Sequence, residues 1–400
     1  MNRTSSTVPP GRIRRIRSLL SLRFWRSLAR GIRSYWGLGQ RRVHLHRFRL
    51  LYRFKVESAL RRTIIPGDWL GARVKVWVDG SELYPRLEKL LSRAKRSIVI
   101  QMFLWKDDGT GRAIAALLVE AADRGVFVDV TKDATGDSYE LEHDFLSTKA
   151  DARTPWKRFW NHPRIAVHHL SERDHTKAFI IDGKVLLLGG MNIGDEYRTE
   201  WHDYFVEIRG RRFVEGYLAG ESVSSPKESL KLILNTGFHK TVRDQLTQLL
   251  QSASHRIVLE QAYLSDPAMI TLLAARSREG IKVTIILPAH PDIHGHANRA
   301  ALARLHREGD PHHLHIFLYP KMLHAKLVLV DRLSLFIGSA NFITSSLDSM
   351  GEANVLIGQR HRYVIFKILH AIRRDLAISA PFQKQRKMWW LGQMLARMGL

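Results

Sequence analysis

A small set of polar residues occurs twice in this chain, with the same spacing both times. The stretch HTKAFIID begins at His175, and the stretch HAKLVLVD begins at His324. Counted from its histidine, each copy has a lysine at +2, an aspartate at +7, a glycine at +14, an asparagine at +17 and a carboxylate at +28. The copies comprise His175, Lys177, Asp182, Gly189, Asn192 and Asp203, and then His324, Lys326, Asp331, Gly338, Asn341 and Glu352. Such matches without a gap indicate an internal duplication.

The duplication kept polar side chains, which a purely structural repeat has no reason to keep. Histidine, lysine, asparagine and carboxylate groups are costly to bury unless they are used. We therefore predict a single site assembled from both halves of the chain, in which His175 and His324 face each other across a pseudo-two-fold axis.

Two facing histidines suit a double displacement at phosphorus. One imidazole attacks the phosphorus and forms a phosphohistidine, while the other protonates the leaving oxygen and then deprotonates the incoming alcohol. The two lysines and the two asparagines suit the charge on the non-bridging phosphate oxygens. A carboxylate behind each histidine would fix its tautomer, and Asp203 and Glu352 are the candidates for that role.

The other two aspartates of the repeat have a different setting. Asp182 and Asp331 come directly after strand-like apolar runs. This position favours a structural support over direct participation, although both residues belong to the repeated catalytic set.

Alternating strands and helices surround the repeated residues. The apolar patterns predict strands at 74–79, 97–105, 126–133, 256–264 and 281–288, and helices at 83–96, 111–125, 241–255 and 268–280. AADRGVFVDV in the first half aligns with RSREGIKVTI in the second. We therefore predict a duplicated α/β domain. Residues 134–165 and 290–300 have little periodicity and are predicted to form loops over the site.

The repeated pattern resembles the H-x-K-x4-D motif of the phospholipase D superfamily, including the GGMN and GSAN segments that follow. The resemblance covers about residues 73–360. It implies an α/β fold of two α/β/α sandwich domains related by pseudo-two-fold symmetry, with the site between them and without a metal or other cofactor. In several relatives the N-terminal histidine is the nucleophile, which implies His175 here, with His324 as acid and base.

Within that superfamily, three stretches resemble bacterial cardiolipin synthases: QMFLWKDDGTGRAIAALLVEAADRGV, LEQAYLSDP and LYPKMLHAKLVLVDRLSLFIGSANF. The resemblance implies a phosphatidyltransferase that converts two phosphatidylglycerol molecules into cardiolipin and glycerol. The chain lacks two N-terminal membrane spans that many such enzymes have, and is closer to the shorter members of the family.

Other activities remain open. Water competes with an alcohol for a phosphohistidine, so a phospholipase D hydrolase that makes phosphatidic acid is one alternative. A metal-independent nuclease of the same superfamily is another, but the basic charge is concentrated on a tryptophan-containing amphipathic stretch, which makes nucleic acid an unlikely partner. Because both copies of the motif are intact, a non-catalytic binding protein is the least favoured class.

The positive charge of this chain is uneven. Of a net charge of +25, residues 1–62 contribute 17 lysines and arginines against one acid, Glu57. Residues 12–36 have apolar side chains at helical spacing, with arginines on the opposite face and tryptophans at the flank, which is typical of an interfacial helix. A helix docked on the body and a transit peptide are the alternatives. We predict that this basic amphipathic segment binds an anionic phospholipid membrane surface.

The predicted domain boundaries follow from these patterns. They are a membrane-associating segment at 1–62, two phospholipase D-like domains at 63–222 and 223–380, and an amphipathic tail at 381–400. No apolar run is long enough to span a bilayer, so the protein is predicted to be peripheral on the cytoplasmic side of a bacterial cell membrane.

Histidine-rich loops raise the question of a metal site. His290, His294 and His296 form one group, and His312, His313 and His315 form another. Their spacing does not repeat and the chain has no cysteine, so we predict no metal site. Trp201 lies two residues before Asp203 and is predicted to be a core residue, with a position lining the site as the alternative.

Overall fold

The computed structural model describes residues 72–136, 154–170, 173–237 and 239–382. The predicted N-terminal amphipathic helix and all but the first two residues of the predicted C-terminal tail lie outside this part of the chain. Within it, no helix is long and apolar enough to cross a membrane.

The first half forms a sheet of seven strands within the described residues. The strands are β1 (Arg73–Val78), β2 (Ser97–Met102), β3 (Phe127–Asp133), β4 (Ile165–Leu170), β5 (Ala178–Ile181), β6 (Val185–Gly189) and β7 (Tyr204–Arg209). Their spatial order is β1-β7-β6-β5-β2-β3-β4. The helices are α1 (Asp79–Arg93), α2 (Gly109–Asp123), α3 (Thr154–Asn161), α4 (Asp195–Thr199) and α5 (Arg211–Ala219).

The second half forms a sheet of nine strands within the described residues. The strands are β8 (Val223–Ser225), β9 (Leu230–Asn235), β10 (Arg256–Gln261), β11 (Lys282–Pro288), β12 (Leu314–Tyr319), β13 (Lys326–Val330), β14 (Ser334–Gly338), β15 (Glu352–Ile357) and β16 (Ala380–Pro381). The helices are α6 (Val242–Gln251), α7 (Pro267–Arg278), α8 (Gly295–Glu308), α9 (Thr344–Asp348) and α10 (Arg362–Ile378).

The two sheets repeat one topology. The order β16-β12-β11-β10-β13-β14-β15-β9-β8 in the second sheet contains the first sheet's order, with β9, β15, β14, β13, β10, β11 and β12 in place of β1, β7, β6, β5, β2, β3 and β4. In the two sheets the strand that follows the motif histidine, β5 or β13, pairs antiparallel with the equivalent strand, β2 or β10. The predicted duplicated α/β fold is confirmed.

Alternation along the strands explains how each sheet is buried on two faces. In β5, Ile180 packs into an apolar cluster that also contains Leu327 and Leu329 of β13, whereas its neighbour Phe179 packs with the helices α1 and α2. In β13, Val328 likewise packs with α6, α7 and α8. The central cluster is therefore shared by both halves, and it holds the two sheets in a fixed relation to each other.

Two predicted loops are partly wrong. Within residues 134–165, the segment Thr154–Asn161 is a helix, and within 290–300 the helix α8 begins at Gly295. The helix Thr154–Asn161 has only 8 residues, so packing on a neighbouring element rather than local pattern stabilises it. The loop predicted at 290–300 overlaps only the histidine-containing start of α8, whose apolar positions come later.

Candidate active site

Each motif histidine is attached to the other half of the molecule. The backbone N–H of His175 donates to the carbonyl oxygen of Gly351 at 2.8 Å, and the N–H of His324 donates to the carbonyl oxygen of His202 at 2.7 Å. The histidines lie just before β5 and β13, where these strands enter the central core. The two halves therefore build one site rather than two.

The carboxylates that orient the histidines are exchanged between the halves. Nδ1 of His175 lies 3.2 Å from Oε1 of Glu352, and Nδ1 of His324 lies 2.7 Å from Oδ2 of Asp203. With Nδ1–H donating to a carboxylate, a neutral imidazole has its free lone pair on Nε2. In each histidine, Nε2 is thus the nitrogen whose lone pair is not used by the carboxylate contact.

Burial keeps the histidines uncharged. His175 is 9% exposed and His324 is 3% exposed. Burial, and next to it the charge of Lys177, lowers the pKa of His175. Burial lowers the pKa of His324 well below its ordinary value, and the charges of Lys326 and Lys177 lower it further. The lysines of both halves therefore lie close enough to influence His324.

The lysines are buried beside the histidines. Nζ of Lys177 donates to the carbonyl oxygen of His175 at 2.7 Å and lies 4.8 Å from the centre of the Phe103 ring. Nζ of Lys326 lies 2.8 Å from Nδ1 and 3.1 Å from Nε2 of His324. Burial lowers the pKa of Lys177 well below its ordinary value and that of Lys326 to about 8, against the opposing effect of the nearby carboxylates. An anionic ligand would stabilise the charged form of both.

The two asparagines of the repeat have different surroundings. The side chain of Asn192 accepts from the N–H of Leu104 at 3.1 Å and donates to the hydroxyl of Tyr197 at 2.9 Å. Oδ1 of Asn341 is buried and has no hydrogen-bond partner among the described residues. Asn192 therefore holds protein groups together, whereas Asn341 retains a polar atom without a protein partner.

Asp182 and Asp331 lie at the far ends of their strands and are not part of the histidine cluster. Asp182 accepts N–H groups of Lys95, Arg96 and Ser97, at 2.8 Å for Arg96. Asp331 accepts those of Ser254, His255 and Arg256 at 2.8–2.9 Å. Both aspartates have positive φ, 55° and 51°, in the turns after β5 and β13, a conformation that aspartate tolerates better than most residues. They attach the hairpin that carries each motif to the start of β2 or β10.

Aromatic rings line the site, and sequence reasoning singled out only Trp201 among them. The rings of Tyr197, Trp201 and Tyr263 lie 5.3, 5.3 and 6.3 Å from the ring of His324, and Phe103 lies 4.8 Å from that of His175. Trp201 also packs at the edge of the first core, so it occupies both the predicted core position and the alternative position beside the site. Its proximity to Asp203 was the available signal, but its direction depends on the fold.

The two orienting carboxylates have unlike environments. Ser339 and Ser346 donate hydroxyl hydrogen bonds to Glu352. Burial alone would raise the pKa of Glu352, but the hydrogen bond with His175, together with Lys177 and Ser339, lowers it below its ordinary value. For Asp203, burial raises the pKa to about 7, although Lys326 and the N–H of Tyr204 oppose the shift. Glu352 is therefore ionised at neutral pH, while Asp203 titrates there.

Paired H-x-K-x4-D motifs on this duplicated α/β fold define a protein of the phospholipase D superfamily. The profile of the family described as "Cardiolipin synthase, PLD-like domain" matches residues 87–219 and 246–375, one match in each half. The chain belongs to this family.

Individual relatives agree. Cardiolipin synthase B of Escherichia coli strain K12 is 25% identical over 324 residues, which cover 73% of this chain and 78% of that protein. Cardiolipin synthase A of Pseudomonas aeruginosa is 26% identical over 363 residues, which cover 82% and 72%. Among solved structures, phosphatidylserine synthase of Haemophilus influenzae superposes with a TM-score of 0.66 at 14% identity, covering 86% of this chain and 97% of that one. This last likeness supports the fold.

Proposed function

We propose that the protein is a cardiolipin synthase-type phosphatidyltransferase that moves a phosphatidyl group between phospholipids, with phosphatidylglycerol as donor and acceptor. The observation that carries the proposal is the pair of buried imidazoles, each held at Nδ1 by a carboxylate of the other half. The cardiolipin synthases among its relatives support phospholipid substrates.

In the first step, Nε2 of His175 attacks the phosphorus of the donor. A P–N bond forms, the bond from phosphorus to the headgroup oxygen breaks, and His324 supplies the proton that the departing alcohol needs. In the second step, His324 takes the proton of the acceptor hydroxyl, whose oxygen displaces His175. Atoms and protons balance over the cycle, and the chemistry needs no redox partner.

The unlike carboxylates support this division of roles. Ionised Glu352 strengthens His175 as a nucleophile, because the Nδ1–H···carboxylate bond increases electron density on the ring. Asp203, with a pKa of about 7, and His324 can share a proton near neutral pH, as acid–base work requires. A bound phosphodiester anion also raises the pKa of His324, so that it can carry the proton that it must donate. Lys177 and Lys326 stabilise the charge of the transferring group.

The direct test is lipid turnover. The purified protein is incubated with phosphatidylglycerol vesicles, and the products are identified by mass spectrometry beside His175→Ala and His324→Ala. We expect cardiolipin and glycerol in equal amounts, and neither from either variant. A base-quenched reaction should show phosphatidyl-derived mass on a peptide containing His175. Phosphatidic acid as the main product would make the protein a hydrolase, and cleavage of single-stranded DNA without lipid turnover would make it a nuclease.

Membrane attachment through residues 12–36 is a separate part of the proposal. A protein with Arg23, Arg26, Arg30 and Arg33 all replaced by glutamine should bind phosphatidylglycerol vesicles less tightly, because each basic residue near an anionic surface contributes about 1 kcal/mol. Co-sedimentation at low and high salt measures this. Unchanged binding at both salt concentrations would assign attachment to another part of the protein.

A further inference from the structure

A second group of ionisable side chains, all buried except the partly exposed Asp79, lies directly behind Asp203. Nδ1 of His202 lies 2.6 Å from Oδ1 of Asp79, and its Nε2 lies 3.2 Å from Oδ2 of Asp375. The hydroxyl of Tyr204 donates to Oε2 of Glu260 at 2.6 Å and lies 2.9 Å from Nε2 of His202. The group brings together the start of α1, strands β7 and β10, and helix α10, so it joins both halves.

This group is closed by hydrogen bonds rather than arranged around a metal ion. His202, Glu260 and Asp375 are the one set of potential metal ligands that lie close together among the described residues. The Tyr204 oxygen occupies the space between them, 2.9, 2.6 and 3.4 Å from the three ligand atoms. Zinc bonds to nitrogen and oxygen ligands are about 2.0–2.2 Å long, so the hydroxyl stands where an ion would have to be.

His202 is the cation of the group. Among the described residues, the ion pairs of Asp79 and Asp375 involve His202 alone, and Glu260 has none. Burial by itself would lower the pKa of His202, but hydrogen bonds to Asp375 and Asp79 raise it to about 10. Burial and the charge of Asp375 raise the pKa of Glu260 to about 7. The imidazolium of His202 therefore compensates negative charge that would otherwise be buried without a partner.

The backbone of His202 connects this charge to the active site. Its carbonyl oxygen accepts the N–H of His324 at 2.7 Å, and its N–H donates to the carbonyl oxygen of Met322 at 3.0 Å. The next residue, Asp203, orients the His324 ring. A displacement of His202 would thus move His324 through its backbone and through its carboxylate at the same time.

Among the described residues, the second copy of the repeat has no equivalent of this arrangement. Gly351 occupies the position that corresponds to His202, 27 residues after the motif histidine in each copy. A β-carbon on Gly351 would lie 2.6 Å from the carboxyl carbon of Asp174, so no side chain fits there. The support from a buried cation therefore belongs to His324 and not to His175.

We propose that His202 is a positioning residue for His324: as the cation of a largely buried carboxylate cluster, it fixes the backbone that holds His324 and carries Asp203. The inference rests on the proposed function, in which His324 transfers protons. On this proposal, the position of His324 depends on the charge of His202 rather than on its shape.

The test compares variants of His202 that differ in charge. His202→Gln removes the cation but keeps hydrogen bonding, and His202→Lys restores a cation. We expect His202→Gln to lower kcat on phosphatidylglycerol vesicles about 100-fold with little change in KM, since small misplacements of a reacting group have effects of this size. His202→Lys should recover most of that loss. His313→Gln, which breaks a half-exposed histidine–aspartate pair with Asp310, is the matched control and should keep its activity.

A double variant keeps the test decisive if lysine does not fit. In His202→Gln/Asp375→Asn one negative and one positive charge are removed together, so its loss of kcat should be smaller than that of His202→Gln alone. Full kcat in His202→Gln would overturn the proposal. So would an equal loss in all three variants, because packing would then explain the effect.

A spectroscopic readout separates this proposal from the proposed function. In histidine-labelled protein, the side-chain nitrogen signals of His324 should shift in His202→Gln and remain in place in His313→Gln. If the wild-type protein turned over no lipid, the proposed function would fail, and the nitrogen signals alone would decide the role of His202. Unchanged signals of His324 in His202→Gln would overturn that role.

Discussion

The two halves of the site contain equivalent histidines, but the carboxylates that orient them have different surroundings. Glu352, from the second half, is ionised and held by two serine hydroxyls, and it orients His175. Asp203, from the first half, has one carbon fewer, a pKa raised by burial to about 7, and a backbone supported by the His202 cluster. A duplicated fold thus supplies one histidine with a fixed negative charge and the other with a carboxyl group that can exchange a proton.

The position 15 residues after each histidine shows how the difference is built. It is Gly190 in the first half, where a β-carbon would lie 2.4 Å from Oδ2 of Asp203. It is Ser339 in the second half, where the side chain donates to Glu352. The shorter carboxylate needs the space that glycine leaves, whereas the longer one can accept a hydroxyl. The comparison can be tested by changing each half in turn.

The largest effect is expected from the histidines themselves. His175→Ala and His324→Ala should each lower kcat by about 10,000-fold or more. When catalytic groups act as a unit, removing one of them lowers kcat nearly as much as removing all of them. Turnover of phosphatidylglycerol by the single and double variants measures this. A double variant far weaker than either single one would mean that two independent sites operate.

Variants of the two orienting carboxylates should lower kcat to different extents. Glu352→Gln should lower kcat about 1,000-fold, because it removes the charge that fixes and activates His175, while Asp203→Asn should lower it about 100-fold, since Asp203 is already partly protonated near neutral pH. The pH profile of kcat is measured for both. Equal losses with identical profiles would contradict unlike roles for the two residues.

Residues 190 and 339 should give smaller effects. Gly190→Ala pushes the Asp203 carboxylate away from His324 and should lower kcat by about 100-fold at most. Ser339→Ala removes one of two serine hydrogen bonds to Glu352 and should lower kcat by about 10-fold. Ser349→Ala, which changes an exposed serine of the same half, is the control and should have no effect. If Gly190→Ala keeps full activity, the short distance between residue 190 and the Asp203 carboxylate is not important for catalysis.

The smallest effects concern stability, and they have opposite signs. The pKa of Asp203 is raised in the folded protein, so its contribution to stability is lost as the pH rises from about 4 through 7. The Tm of Asp203→Asn relative to wild type should therefore be a few degrees higher at pH 8 than at pH 5.

Glu352 should show the reverse. Its pKa is lowered in the folded protein, so its contribution is present above its ordinary value of 4.5 and is lost as the pH falls below that value. Glu352→Gln should reduce the Tm at pH 7, and the difference from wild type should shrink in acid. Thermal melts across this pH range measure both variants. If the Tm of the two variants changed with pH in the same way, the two carboxylates would not differ as proposed.

Much of the fold and the membership of the site could be predicted from the sequence. The strands and helices predicted from apolar patterns in each half begin and end within a few residues of their predicted positions. Periodicity detects these elements because each buries one face locally. It failed for α3 and the start of α8, whose stability depends on neighbours that are distant in sequence.

By itself, the sequence determined that two histidines, two lysines and two orienting carboxylates occur at matched positions, because a gene duplication leaves its spacing in the chain. Only the tertiary structure decided that Glu352 serves His175 and Asp203 serves His324, across separations of 177 and 121 residues. It also decided that Asp182 and Asp331 attach hairpins, that Trp201 lies against His324, and that His202 lies between Asp79 and Asp375. These are contacts between elements, and their geometry arises when the two sheets pack against one apolar core, which no local spacing specifies.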